Sequence, residues 1–152
     1  MSNKEHPLKP STVLGFDFGM KHIGVAVGQS ITRSATALQS LSAKDGTPDW
    51  KYIQLLIAQW HPQALIVGLP LQMDGSEQLL SFAARRFMVH LRSHFELPVF
   101  EVDERLSSWA AKDLMGAPPR TPKKRKAARD KVHAYAAAIL IEQWYTSTQE
   151  KD

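Results

Sequence analysis

The fifteen residues LGFDFGMKHIGVAVG, 14–28, decide how the rest of the chain is read. Thr12 to Phe16 forms an apolar run ending at Asp17, and Ile23 to Val27 forms a second. Five residues, FGMKH, lie between them, which is hairpin length and predicts two short buried strands in antiparallel pairing. Downstream the chain alternates. Trp50, Ile53, Leu56, Ile57 and Trp60 recur at helical spacing, with Thr47 as the expected N-cap, Pro48 at the first helical position and Pro62 as the stop. Residues 29–46 before that helix read as a loop. Ala64 to Val67 is a short buried strand closed by Gly68-Leu69-Pro70. Asp74 and Glu77 stand at capping-box spacing ahead of the stripe Leu80, Ala84, Phe87, Leu91 and Phe95. Val99 to Val102 is a further strand, followed by a short helix capped by Ser107 and running through Met115. A last helix is expected from about Lys131 to Tyr145. A hairpin followed by alternating helices and strands is an α/β domain with mixed sheet pairing.

At 152 residues the chain is one core, read as a single domain over 1–152 with flexible tails at 1–10 and 146–152. Cysteine is absent, which excludes disulfides, thiolate metal sites and cysteine nucleophiles and suits a reducing, cytoplasmic setting. The opening MSNKEHPLKP has no apolar stretch, so no signal peptide is expected, and no run approaches the ~20 apolar residues of a membrane helix. Secreted and membrane functions are not expected. The formal net charge is +4, and its placement says more than its size. Between Arg120 and Lys131 stand Arg120, Lys123, Lys124, Arg125, Lys126, Arg129 and Lys131 against one acid, Asp130. Without that block acids outnumber bases. A basic loop over 116–130 that grips a polyanion is the functional reading, and a solvated mobile loop is the plain one.

Open α/β sheets carry their functional crevice outside the carboxyl ends of strands. Asp17 falls there after the first strand, and Asp103-Glu104 after the strand beginning at Val99. Carboxylates gathered from separate strands repel one another unless a cation sits between them, and hard oxygen ligands suit magnesium or manganese. Two such ions about 4 Å apart can activate water against a phosphodiester. Gly19 would leave room for backbone to approach a phosphate or a hydrated metal. Spacing alone leaves plainer readings open: Asp17 capping a turn, and Glu104 paired with Arg105. Lys21 and His22 beside Asp17 could touch a phosphate or form an exposed turn, and Arg105 could bind a scissile phosphate or make a structural ion pair. His90 and His94 stand four apart without the glutamate of a zinc protease and read as a surface pair. Ser34, Thr36 and Ser107 have no histidine or carboxylate at telling spacing, so serine hydrolysis has no support. The Trp50/Trp60 and Phe87/Phe95 pairs read as core stripes.

Four blocks, LGFDFGMKHIGVAVG, LIVGLPLQMDGSE, VDERLSS and KVHAYAAAIL, occur in order from about Val13 to Trp144. Together they resemble the motif blocks of the YqgF (RuvX) family, RNase H-like bacterial nucleases first proposed as Holliday-junction resolvases and later linked to maturation of the 5′ end of 16S ribosomal RNA. The resemblance implies an RNase H-like fold with a five-stranded mixed sheet flanked by helices, and metal-dependent phosphodiester hydrolysis. It implies Asp17 as the first catalytic carboxylate and Glu104 as the second, with Asp103 in support. Where the family pattern carries a third acid, this chain has His133. His133 would join Asp17 and Glu104 as a metal ligand and favour manganese over magnesium, since related nucleases use Asp-Asp-His sets. The alternative is a buried helix residue in a disabled site, with Asp130 one turn earlier as a substitute.

The expected function is therefore a magnesium- or manganese-dependent nuclease of structured RNA in pre-ribosomal processing. Lys21, Lys123, Lys124, Arg125, Lys126 and Arg129 would hold nucleic acid, and the ribosomal subunit is a possible partner. The chain itself would be a monomer or weak dimer. The alternatives are a resolvase of branched DNA and a catalytically weakened RNA- or ribosome-binding factor. DFGMKHIG also resembles the phosphate-binding hairpin of sugar kinases and actin-like ATPases. Those proteins clamp ATP between two such domains and this chain has one, so no ATP binding is expected.

Overall fold

A computed structural model describes residues 12–104 and 120–150 of the chain, without the side chains of Arg129 and of residues 148–150. The elements are β1 (Thr12–Asp17), β2 (His22–Gln29), β3 (Ser34–Lys44), β4 (Thr47–Pro48), α1 (Trp50–Trp60), β5 (Ala64–Leu69), α2 (Leu79–Phe95), β6 (Val99–Asp103) and α3 (Pro122–Glu150). One six-stranded sheet has the order β4-β3-β2-β1-β5-β6. β1 to β4 pair antiparallel as a meander, while β5 and β6 run parallel to β1.

The period of two along each strand sorts large from small side chains. Leu14, Phe16, Ile23, Val25, Val27, Leu65, Val67 and Leu69 point to one face, where they pack with Ile53 and Leu56 of α1 and with Phe87, Met88 and Leu91 of α2. The other face carries Val13, Ala26, Ala64 and Ile66 against Ala137, Ala138, Ile141 and Trp144 of α3. Between those residues stand Gly15, Gly24, Gly28 and Gly68, and a Cβ on any of the four would collide with α3 or with a side chain beneath it. An alanine-rich helix on a glycine-rich sheet face lets α3 lie unusually close to the strands. It crosses them from β3, near its start, to β6, where Trp144 meets Phe100.

Four sequence expectations change. The sheet has six strands where five were expected, because residues 34–44 form β3 and residues 47–48 form β4 instead of lying in a loop. β3 escaped notice because its outward side chains are Ser34, Thr36, Gln39 and Ser42, polar residues without the apolar alternation of a core strand. Thr47 and Pro48 do not open α1. Pro48 sits opposite Ala43 on the edge strand, where a missing N–H costs nothing, and Asp49 caps the helix by accepting from the Lys51 amide at 3.0 Å.

α2 starts five residues after Asp74. Gln78 and Ser81 make its reciprocal cap, with the Gln78 amide donating to Ser81 Oγ at 3.0 Å. Asp74 instead closes a local turn onto Ser76, and Glu77 pairs with Arg85 at 2.9 Å. Finally, the basic segment expected as a loop over 116–130 is helical from Pro122, and α3 runs on to Glu150, through most of the expected tail. Thr121 caps it, its hydroxyl accepting from the Lys124 amide at 3.2 Å, and Pro122 takes the first helical position. The expected Ser107 helix, Arg105, residues 116–119 and the tail at 1–10 lie outside the described residues.

Candidate active site

Period two also aims the site. Val13, Gly15 and Asp17 share the α3 face of β1, so the strand's last residue points its carboxylate under α3 rather than into solvent. Asp17 is 5% exposed. Glu104 follows β6, its amide donating to the Leu69 carbonyl at 3.2 Å, and is 9% exposed. Its carboxylate lies over Gly68, where a Cβ would stand 2.5 Å from Glu104 Oε2. Glycine at 68 is thus what allows the carboxylate to lie across the end of β5 and reach Asp17.

The two acids share a hydrogen bond. Burial, the Asp17 charge and hydrogen bond, and the Asp103 charge together push the Glu104 carboxyl up to about 10, so it holds its proton at neutral pH. Two carboxylates in one dry site cannot both ionise unless another positive charge takes the proton's place.

His133 arrives from the helix side. Asp17 pairs with Gly24 in the β1–β2 register, and the backbone of His133 rests on Gly24. That contact sets His133 Nδ1 3.3 Å from Asp17 Oδ2, with the imidazole stacked on His22 at a ring separation of 5.6 Å. Gly24→Ala would drive a methyl group into the His133 carbonyl, and either α3 or β2 must move. We expect a loss of about 2 kcal/mol, the usual scale for overpacking a tight interior, read as a lower Tm. If the melting temperature does not change, the close approach of α3 at this residue has been misjudged.

The remaining expected site residues fall as follows. Asp103 is exposed at the end of β6 and acts on the site through its charge on Glu104. Asp130, one turn ahead of His133, is half-buried beside β3 rather than beside the carboxylates. Lys21 is exposed in the β1–β2 turn, next to Asp17. Gly19 lies partly exposed in the turn, where a Cβ would stand 2.5 Å from the His22 carbonyl, so the turn itself requires a glycine there. Lys123, Lys124, Arg125 and Lys126 are exposed at the start of α3, about two to three turns before its alanine-rich stretch, and Arg120 is exposed just ahead of the helix. His90 and His94 pack on Trp50, with His94 stacked at 4.9 Å, and so serve the surface of α2.

Among the described residues no three His, Asp or Glu side chains already stand close enough to enclose a metal ion. The donor set nevertheless suits a hard divalent cation: two buried carboxyl groups in contact, one of which keeps a proton that a cation could displace, and an imidazole nitrogen on one of them.

The family model described as "RuvX: Holliday junction resolvase" matches residues 11–147. A Coxiella burnetii protein named "Putative pre-16S rRNA nuclease" is 53% identical over 131 residues, covering 86% of this chain and 89% of its own. A Nitrosococcus oceani protein of the same name is 47% identical over 143 residues, covering 94% and 91%. Among solved structures, Thermus thermophilus RuvC in complex with a Holliday junction aligns with a TM-score of 0.53 at 15% identity, covering 92% of this chain and 96% of that one. Fowlpox virus resolvase with its junction DNA aligns at 0.52 and 10% identity, covering 90% and 98%. These two show the fold, that of the RuvC-like resolvases, as the motif blocks led us to expect.

Proposed function

Since this chain belongs to the RuvX family, we propose that it is a divalent-metal-dependent nuclease that hydrolyses phosphodiester bonds in structured RNA. The observation that carries the reading is the buried contact between Asp17 and Glu104, brought together from the ends of β1 and β6. Asp17 and Glu104 would hold the cation, and His133 would complete the set after a small movement about its side chain. A magnesium or manganese ion bound there supplies Lewis acidity toward the phosphoryl oxygens and a water of lowered pKa. Loss of the Glu104 proton readies the site, and the burial of both acids under α3 excludes bulk water from it. An imidazole ligand shifts the preference toward manganese.

Relatives about half identical over nearly the whole chain carry a pre-16S rRNA name, which favours RNA and the maturation of its 5′ end. The family description favours branched DNA, the second reading. Work on ribosomal precursors would place the protein in the cytoplasm, with the ribosomal subunit as a partner. Among the described residues no helix is long and apolar enough to cross a membrane. The test is cleavage of end-labelled precursor 16S RNA and of a four-way DNA junction, each with magnesium or manganese. We expect cleavage of the RNA, fastest in manganese. Cleavage of the junction alone would establish the resolvase reading, and binding without cleavage in either metal would make the chain an RNA-binding factor.

The exposed start of α3 would grip the backbone. Replacing Lys123, Lys124, Arg125 and Lys126 together with alanine should weaken RNA binding and lower the slope of log K against log salt by about 3, at 0.7–0.9 per lost phosphate contact. An unchanged slope would remove this helix turn from the interface.

A further inference from the structure

β3 carries a bulge beside the site. Val25 of β2 pairs with Gln39 and the next residue, Ala26, with Ala37, so Leu38 is the extra residue. Its side chain joins the large core on the α1–α2 face. The bulge resets the alternation that follows it: Leu41 still meets the large core, while Ser40 turns to the α3 face. Ser40 then lies in one cross-strand row with Gly24 and Asp17, two strands and about 10 Å from Asp17.

A groove of about 410 Å³ opens there between β3 and α3. Gln39 and Ser40 line it from the strand, and Asp130, Lys131 and Tyr135 from the helix. Ser40 Oγ is shut off from solvent and has no hydrogen-bond partner among the described residues. Tyr135 is 43% exposed at the groove, a large apolar surface next to the unpartnered Ser40 hydroxyl.

An exposed aromatic face beside an unpartnered hydroxyl, in a groove of this volume, is equipment for an unstacked nucleobase. Resting on the nuclease reading, we propose that this groove binds one base of the nucleic-acid strand, one or two nucleotides from the phosphate at Asp17. Tyr135 stacks on the base, and the Ser40 hydroxyl, closed off in the free protein, rotates to hydrogen-bond to its edge. Lys131, exposed at the rim, faces the adjoining phosphate. The groove therefore fixes which bond in an unpaired segment reaches the carboxylates.

The test measures binding rather than cleavage, in the full chain carrying Asp17→Asn. The probes are fluorescein-labelled hairpin RNAs with a single-stranded flank, each carrying one abasic nucleotide at a successive position. Removal of one particular base should weaken binding roughly tenfold, the effect of a single lost stack. Adding Tyr135→Ala should abolish that dependence, while Tyr135→Phe keeps it, because phenylalanine stacks equally well. Tyr135 is exposed, so neither variant threatens the fold, and melting curves check this. If Tyr135→Ala leaves the abasic profile as in the parent, the groove does not hold a base. If the parent binds no RNA at any salt concentration, both the groove and the nuclease reading fall. RNA binding with a flat abasic profile sinks the groove alone.

Discussion

Asp17→Asn is expected to lower RNA cleavage by about 10³-fold or more, since loss of one ligand forfeits several kcal/mol of transition-state stabilisation and each 1.36 kcal/mol is tenfold in rate. Asp17 is the group the other two share: it hydrogen-bonds Glu104 and sits 3.3 Å from His133 Nδ1. An asparagine there keeps the size, and its amide oxygen can still accept from the imidazole, so the fold should survive. Binding should survive too, because the basic surface of α3 is untouched. The measurement is a pair of single-turnover rates in manganese alongside a binding isotherm for each protein. A variant that cleaves at the parent's rate would remove Asp17 from the chemistry. A variant that neither binds nor melts cooperatively would make its role structural.

Glu104→Gln should separate activity from stability in opposite directions. Cleavage should fall as far as in Asp17→Asn, since the amide cannot supply the negative oxygen that a cation needs. Stability of the metal-free protein should rise. In the folded chain the Glu104 carboxyl is pushed up to about 10, against an ordinary 4.5. Folding therefore retains a proton that the unfolded chain has released throughout the interval between those values. The contribution is fully present below the ordinary value and is eroded as pH rises, until it is gone near 10. Glutamine stays neutral in both states and removes that slope. We expect the variant to melt several degrees above the parent at alkaline pH, at about 2–4 °C per kcal/mol for a chain of this size, with the gap closing toward pH 5. Parallel melting curves at every pH would show that Glu104 is not held neutral in the fold. The pattern is that of a functional site kept at a cost in stability.

Asp17 stood out in the sequence because a short apolar run ends there and a carboxylate at that place has no use in a core; the same signal marked Asp103 and Glu104 together, and the motif resemblance singled out Glu104. The pairing of β1 with β2 followed from hairpin length, and α1 and α2 from apolar spacing. What stayed hidden depended on contacts between distant segments. β3 is mostly serine, threonine, alanine and glutamine, and its two leucines, Leu38 and Leu41, stand three apart rather than two, so it carries no apolar alternation and its bulge at Leu38 leaves no mark that spacing can detect. The groove with Tyr135 stayed hidden with it.

Gly68 read as the close of a strand, yet with Gly15, Gly24 and Gly28 it forms one smooth sheet face on which α3 lies. The start of α3 was obscured by its run of like charges, although Thr121-Pro122 carries the same cap signal that was read at Thr47-Pro48. There the partner strand won, and Asp49 took the cap.

The central claim is that a divalent cation takes the place of the proton held between Asp17 and Glu104. Its most direct test is calorimetric titration of manganese into the metal-free protein near pH 7.5, repeated in two buffers of different ionisation enthalpy. The account predicts that each ion bound releases about one proton, because Glu104 must ionise to receive it, and that Glu104→Gln binds more weakly with no such release. Failure to bind manganese, or an equal proton release from the glutamine variant, would contradict it.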